Sequence, residues 1–135
     1  MTDGVESSPT GGRARSWSAL KSGYHAVSGL MWVAPRTPSL KLGVVVVAVL
    51  LGVGVVLKLR PVEIAVLVLG GAMVLAVETL NTAVEMLCDH VQPDHHPQIG
   101  KVKDVAAGAT VIVEIGVALV VLLLIAPRVW QLLGH

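Results

Sequence analysis

The chain has 135 residues, of which 54% are hydrophobic and only 14% charged, with a formal net charge of +1 and a mean hydropathy of +0.78. Such a composition excludes an ordinary water-soluble domain and points to a bilayer as the solvent. No basic run interleaved with aromatics offers a track for nucleic acid, and the single Cys88 excludes an intrachain disulfide.

Residues 1–16 are polar and Gly/Ser-rich, with no apolar core ahead of a small-residue cleavage site, so the reading is a disordered tail rather than a signal peptide. From Trp17 to Met31, the bulky residues Trp17, Leu20, Tyr24, Val27 and Met31 recur every three or four positions. That stripe predicts an amphipathic helix over 17–34, lying on the membrane surface. Pro35 and Pro38 end it.

Three apolar runs follow. The first span, about 40–57, is uncharged between Lys41 and Lys58, and Arg60 and Pro61 leave room only for a tight turn into an antiparallel partner. The second, about 62–87, is apolar in its first half and carries Glu78, Asn81, Glu85 and Asp89 toward its end. The stretch from His90 to Lys103, with Pro93 and Pro97, reads as a loop. The third span, about 105–126, stops at Pro127, leaves 127–135 as a C-terminal tail, and has Glu114 in its middle. The fold class is therefore an all-α membrane protein with a surface helix and three transmembrane helices. Seven of the ten Lys and Arg residues fall in the N-terminal part and the loop before the third span, which places the N-terminus and that loop in the cytoplasm.

At 100° per residue, Glu78, Asn81, Glu85 and Asp89 fall within roughly 80° of one another on one helical stripe, with Glu78 about 10 Å deeper than Glu85. Acids inside a membrane are costly and mark function by default. A carboxylate near the surface suits Mg²⁺ and nucleotide phosphates, because that ion takes hard oxygen ligands. A deeper one suits a proton acceptor for a lipid hydroxyl, since loss of hydration makes a carboxylate a stronger base. Lys103 and Asp104 open the third helix at the level of Asp89, and Lys103 is placed to neutralise phosphate oxygens. No Walker or kinase Gly-rich loop is present; Gly52, Gly54, Gly70, Gly71 and Gly116 read as helix-packing positions. Asp94, His95 and His96 in a Pro-rich loop read as solvated rather than as a metal site.

The run Glu78-Thr79-Leu80-Asn81-Thr82-Ala83-Val84-Glu85, then Asp89, His96 and Lys103-Asp104-Val105-Ala106-Ala107-Gly108-Ala109, resembles the small bacterial diacylglycerol kinase and undecaprenol kinase family over residues 18–126. The resemblance implies a homotrimer in the bacterial cytoplasmic membrane that transfers the γ-phosphate of MgATP to a lipid hydroxyl. It implies Glu78 as catalytic base and lipid contact with Ala107, Asn81 as a supporting catalytic residue, and Glu85 as the Mg²⁺ and nucleotide ligand. His96, Lys103, Asp104, Lys21 and His25 follow as ATP contacts, with His25 standing where a Tyr is usual and Gly29 matching the surface helix. Two positions depart. Thr37 occupies the place of the family's second metal-binding Glu, and Glu114 stands where the family is apolar. The Asp94-His95-His96-Pro97 loop and the Asp-Val-Ala-Ala-Gly-Ala run lean toward the undecaprenol branch. Two alternatives are a catalytically weakened member serving as a nucleotide-binding or assembly subunit, suggested by Thr37, and a small proton-coupled transporter using Glu78 or Glu114.

Overall fold

A computed structural model describes the backbone of residues 11–133 and the side chains from Lys21 onward. The described residues form four α-helices and one 3₁₀ turn with no strand: α1 (Gly11–Val33), the turn Ala34–Arg36, α2 (Pro38–Val56), α3 (Pro61–Val91) and α4 (Pro97–Leu132). They divide into two units between Arg36 and Thr37.

The N-terminal unit is α1 and its turn. Residues 11–16, expected as part of a disordered tail, are helical, in keeping with the good helix formers Arg13, Ala14 and Arg15; residues 1–10 lie outside the described residues. Tyr24, Val27 and Met31 are exposed, while Trp17 and Leu20 of the expected stripe lie among the undescribed side chains. The turn is pinned by Arg36, whose guanidinium sits 4.5 Å over the Trp32 ring and donates to the Trp32 carbonyl.

The second unit holds three helices that are long and apolar enough to cross a membrane, α2, α3 and α4. Each begins with a proline at its first helical position: Pro38, Pro61 and Pro97. A proline there lacks only an N–H that the helix would leave unbonded anyway, and its fixed φ suits the first turn. Pro97 is therefore a start signal, not a breaker within a loop, and the expected loop 90–103 contracts to the five residues between Val91 and Pro97. Pro127 does not end α4, which continues to Leu132 in place of the expected tail. The turn beyond the proline is tied to α3, where Arg128 donates to Glu63 at 3.2 Å.

The α2–α3 turn is closed by two bonds, Leu59 N–H to the Gly54 carbonyl at 3.0 Å and Lys58 N–H to Val55 at 3.0 Å. This is the Schellman arrangement, and it sets Lys58 at φ 53°, a left-handed backbone usually given to glycine. Leu59 folds back over Gly54 and is buried. Farther along, α2 meets α3 through glycines: a Cβ on Gly71 would lie 2.8 Å from Val47, and one on Gly43 would lie 3.2 Å from Leu75. Val47 is β-branched and stiff, so it cannot swing aside. Gly71→Leu is expected to cost about 1–3 kcal/mol by overpacking, whereas Gly52→Ala, with nothing within 4 Å, should be neutral or better; thermal unfolding in detergent compares them.

Candidate active site

Helix α3 presents the acidic seam, and each member has a different environment. Glu78 is 8% exposed, and its carboxylate oxygen Oε2 has no hydrogen-bond donor. Thr82 next to it spends its hydroxyl on the Glu78 carbonyl at 3.0 Å, within the helix. One turn on, Asn81 donates through Nδ2 to Glu85 Oε1 at 3.0 Å, and its own Oδ1 is buried without a donor. That bond fixes which way the Asn81 amide faces. Asp89 accepts from Lys103 of α4, so the two ends flanking the short loop are joined by an ion pair.

Lys103 precedes the apolar stretch of α4 that begins at Val105. Its ammonium is held above the usual lysine range, first by the hydrogen bond to Asp89, with desolvation opposing and the charges of Asp89 and Glu85 adding. The last contribution places Glu85, Asp89 and Lys103 in one electrostatic neighbourhood at this end of the helices. His96 caps α4, its ring Nδ1 accepting from the Gln98 N–H at 3.3 Å. Asp104 is exposed, and Ala107 is half-buried and accepts at its carbonyl from Thr110 at 2.7 Å. Lys21 and His25 belong to the N-terminal unit, both exposed, with the Tyr24 ring edge-on to His25 at 5.8 Å.

The antiparallel pair α3 and α4 is tied by ion pairs at both ends, and its register is set between them by Gly70, on which a Cβ would lie 3.3 Å from Val117. Asp89 meets Lys103 at one end, and Glu63 meets Arg128 at the other. The α2–α3 glycine contacts, 43 against 75 and 47 against 71, set Thr37 level with Asn81. An apolar groove of about 770 Å³ runs between α2, α3 and α4, and both Glu78 and Glu114 line it. Glu63 and Arg128 escape notice in the sequence. Glu63 is 8% exposed and bonds Arg60 through the Arg60 N–H at 2.6 Å and its guanidinium at 3.0 Å. The available signal was an acid at the third position of a helix that opens with proline, where it meets unbonded N–H groups.

As a metal site, the donor set is thin. Among the described residues no group of three His, Cys, Asp or Glu side chains could hold an ion, and Asp89 is engaged by Lys103. Glu85 offers its second oxygen, Oε2, beside the bond from Asn81. Magnesium is commonly bound through one or two carboxylates plus substrate phosphates and waters. The residues present therefore fit an ion that arrives with a nucleotide, and do not fit one held by this chain alone.

Three helices long and apolar enough to span a membrane, with an acidic seam that starts inside the apolar groove and ends at a lysine, are the pattern of a polytopic membrane protein with carboxylates along one helix. The model of the prokaryotic diacylglycerol kinase family matches residues 24–125, and the chain belongs to that family. It is 30% identical over 111 residues to the undecaprenol kinase of Bacillus subtilis (strain 168), with 81% of this chain and 89% of that protein aligned. Membership places it among membrane-embedded lipid kinases of bacteria.

Proposed function

We propose that the protein transfers the γ-phosphate of ATP to the hydroxyl of a membrane lipid alcohol, undecaprenol or diacylglycerol. The observation that carries this reading is Glu78: a carboxylate nine-tenths buried, lining an apolar groove, with one oxygen left without a donor. A buried acceptor without a donor is costly unless a ligand supplies one. A lipid hydroxyl arriving from the bilayer supplies that donor. Glu78 accepts the proton as the lipid oxygen attacks the γ-phosphorus, and the bond from the γ-phosphorus to the bridging oxygen of ADP breaks. Lys103 neutralises charge on the phosphate oxygens, and Asn81 holds Glu85 in place through its amide. Magnesium bound with the nucleotide at Glu85 would supply further charge neutralisation on the transferring group.

His96 and Asp104, at the same end of α4 as Lys103, complete the nucleotide contacts in this reading, with Lys21 and His25 from α1, and Ala107 lies against the lipid. The excess of Lys and Arg on the N-terminal part and around the 92–96 loop supports a cytoplasmic N-terminus, and assembly as a homotrimer belongs to the same proposal. A second reading, a catalytically weakened subunit, rests on Thr37, whose neutral hydroxyl is a poor substitute for a carboxylate toward Mg²⁺.

Transfer of radiolabelled γ-phosphate to diacylglycerol and to undecaprenol, offered separately in mixed micelles, tests both. Label in either lipid is the expected result and names the substrate. Label in neither, from protein of full helix content, would favour the weakened subunit.

A further inference from the structure

The end of α3 and α4 away from Lys103 carries charge that the chemistry above does not use. Among the described residues three cations stand there against the single acid Glu63: Lys58 in the α2–α3 turn, Arg60 at the head of α3 and Arg128 near the end of α4. They are also the cations that run against the Lys and Arg bias used to orient the chain. Their depth follows from α4. Its stretch from Val105 to Ala126, apolar but for Glu114, is about 33 Å long, against about 30 Å of hydrocarbon in a bilayer. Lys103 precedes that stretch and Arg128 follows it, so Arg128 and the groups tied to it stand at the headgroup level of the leaflet opposite Lys103. Trp130, two residues on, is of the type that settles at that boundary.

Glu63 is fully engaged. Its Oε2 accepts from the Arg60 N–H at 2.6 Å and from Arg128 Nη2 at 3.2 Å, and its Oε1 accepts from Arg60 Nη2 at 3.0 Å. Both arginines spend only Nη2 on it, so Nη1 and Nε of each guanidinium have no acceptor among the described residues. One buried carboxylate thus holds two guanidinium groups side by side, with Arg60 largely exposed and Arg128 partly so. Lys58 is exposed, has no acidic partner among the described residues, and is kept two positions from Arg60 by the closed turn. Like charges held this close repel, and a further anion relieves the repulsion. The guanidinium fork matches two oxygens on one phosphorus. At headgroup depth, the anion of that shape is the phosphodiester of a phospholipid. A zwitterionic lipid brings the same phosphate together with an ammonium group that the three cations repel, so the site favours a lipid with net negative charge.

We infer that Lys58, Arg60 and Arg128 form a docking site for the headgroup of an anionic phospholipid in the leaflet opposite Lys103. The site stands on the three spans and the Glu63 network, and is independent of the kinase reading.

Trp130 lies at this level and serves as the reporter once Trp17 and Trp32 are replaced by Phe. The full chain would be reconstituted in phosphatidylcholine bilayers. Quenching of Trp130 by phosphatidylglycerol brominated on its acyl chains would then be compared with quenching by brominated phosphatidylcholine at the same mole fraction. The expected advantage of phosphatidylglycerol is about ten-fold in relative binding constant, with about five-fold for each cation near an anionic headgroup. Lys58→Asn touches no ion pair and suits the left-handed backbone, and it should lower the advantage about five-fold. Adding Arg60→Gln should bring it near one, with helix content checked for each chain. Lys101→Gln, the same loss of charge at the opposite end, should leave it unchanged. Equal quenching by the two lipids in the chain with all three cations would overturn the inference. So would an advantage that survives the loss of both Lys58 and Arg60, or one that falls as far in Lys101→Gln, which would make it an effect of net charge. Glycerol 3-phosphate in solution separates the lipid from a free phosphate: the advantage should persist in its presence, and its loss would assign the cations to soluble phosphates and remove the lipid site.

Discussion

Glu78→Gln is expected to reduce phosphate transfer to lipid by about 10²–10⁴-fold, the usual contribution of a positioned general base, while nucleotide affinity stays at its wild-type value. Gln has the same shape and can still accept a hydrogen bond through its amide oxygen, so the lipid alcohol should bind, but an amide does not take up the proton. Nor should the protein unfold. The substitution removes a charge from a site that is 8% exposed at hydrocarbon depth, where a carboxylate is costly, so thermal stability in detergent should hold or rise. The split between turnover and nucleotide binding is informative because the two sites are separated. Glu78 stands seven residues, about 10 Å, from Glu85 along α3. Near-normal turnover of Glu78→Gln would remove Glu78 as the base and leave its unpartnered oxygen to a purely binding role.

The groove that makes Glu78 distinctive could not be read from the chain, although the seam could. Hydropathy and helical period are properties of single segments, and they were enough to locate three spans, the tight turn before Pro61 and the alignment of Glu78, Asn81, Glu85 and Asp89. Pairing between helices is a property of two segments at once. Asp89 with Lys103, and Glu63 with Arg128, depend on the register that the glycine contacts and short connections impose. In the sequence Glu114 is a stray acid in an apolar helix; once the helices are packed, it lines the same groove as Glu78. The prolines misled for a related reason. Pro97 and Pro127 have the same local chemistry, but one starts a helix and the other is carried inside it, where the next turn pairs with α3 through Arg128. The residues around the proline do not show that partner.

Glu85→Gln should act on binding itself. In the proposed reading Glu85 contributes the carboxylate that meets the metal and phosphates, and MgATP affinity is expected to fall by about 10–100-fold, the range for losing one interaction with a charged group. The fold should survive, since Gln Oε1 can still accept from Asn81 Nδ2 and the Asp89–Lys103 pair is untouched. Titrating MgATP against wild type and variant by isothermal calorimetry measures the loss directly, without relying on lipid turnover. The same titration bears on Thr37. It stands level with Asn81, within about one turn of Glu85, so it occupies the depth from which a second carboxylate would reach the metal. If wild type binds MgATP and Glu85→Gln does not, one carboxylate with the phosphates suffices and Thr37 is tolerated. If the two chains bind alike, Glu85 is not the ligand, and the half-buried Asn81–Glu85 bond serves the packing of α3 rather than the nucleotide.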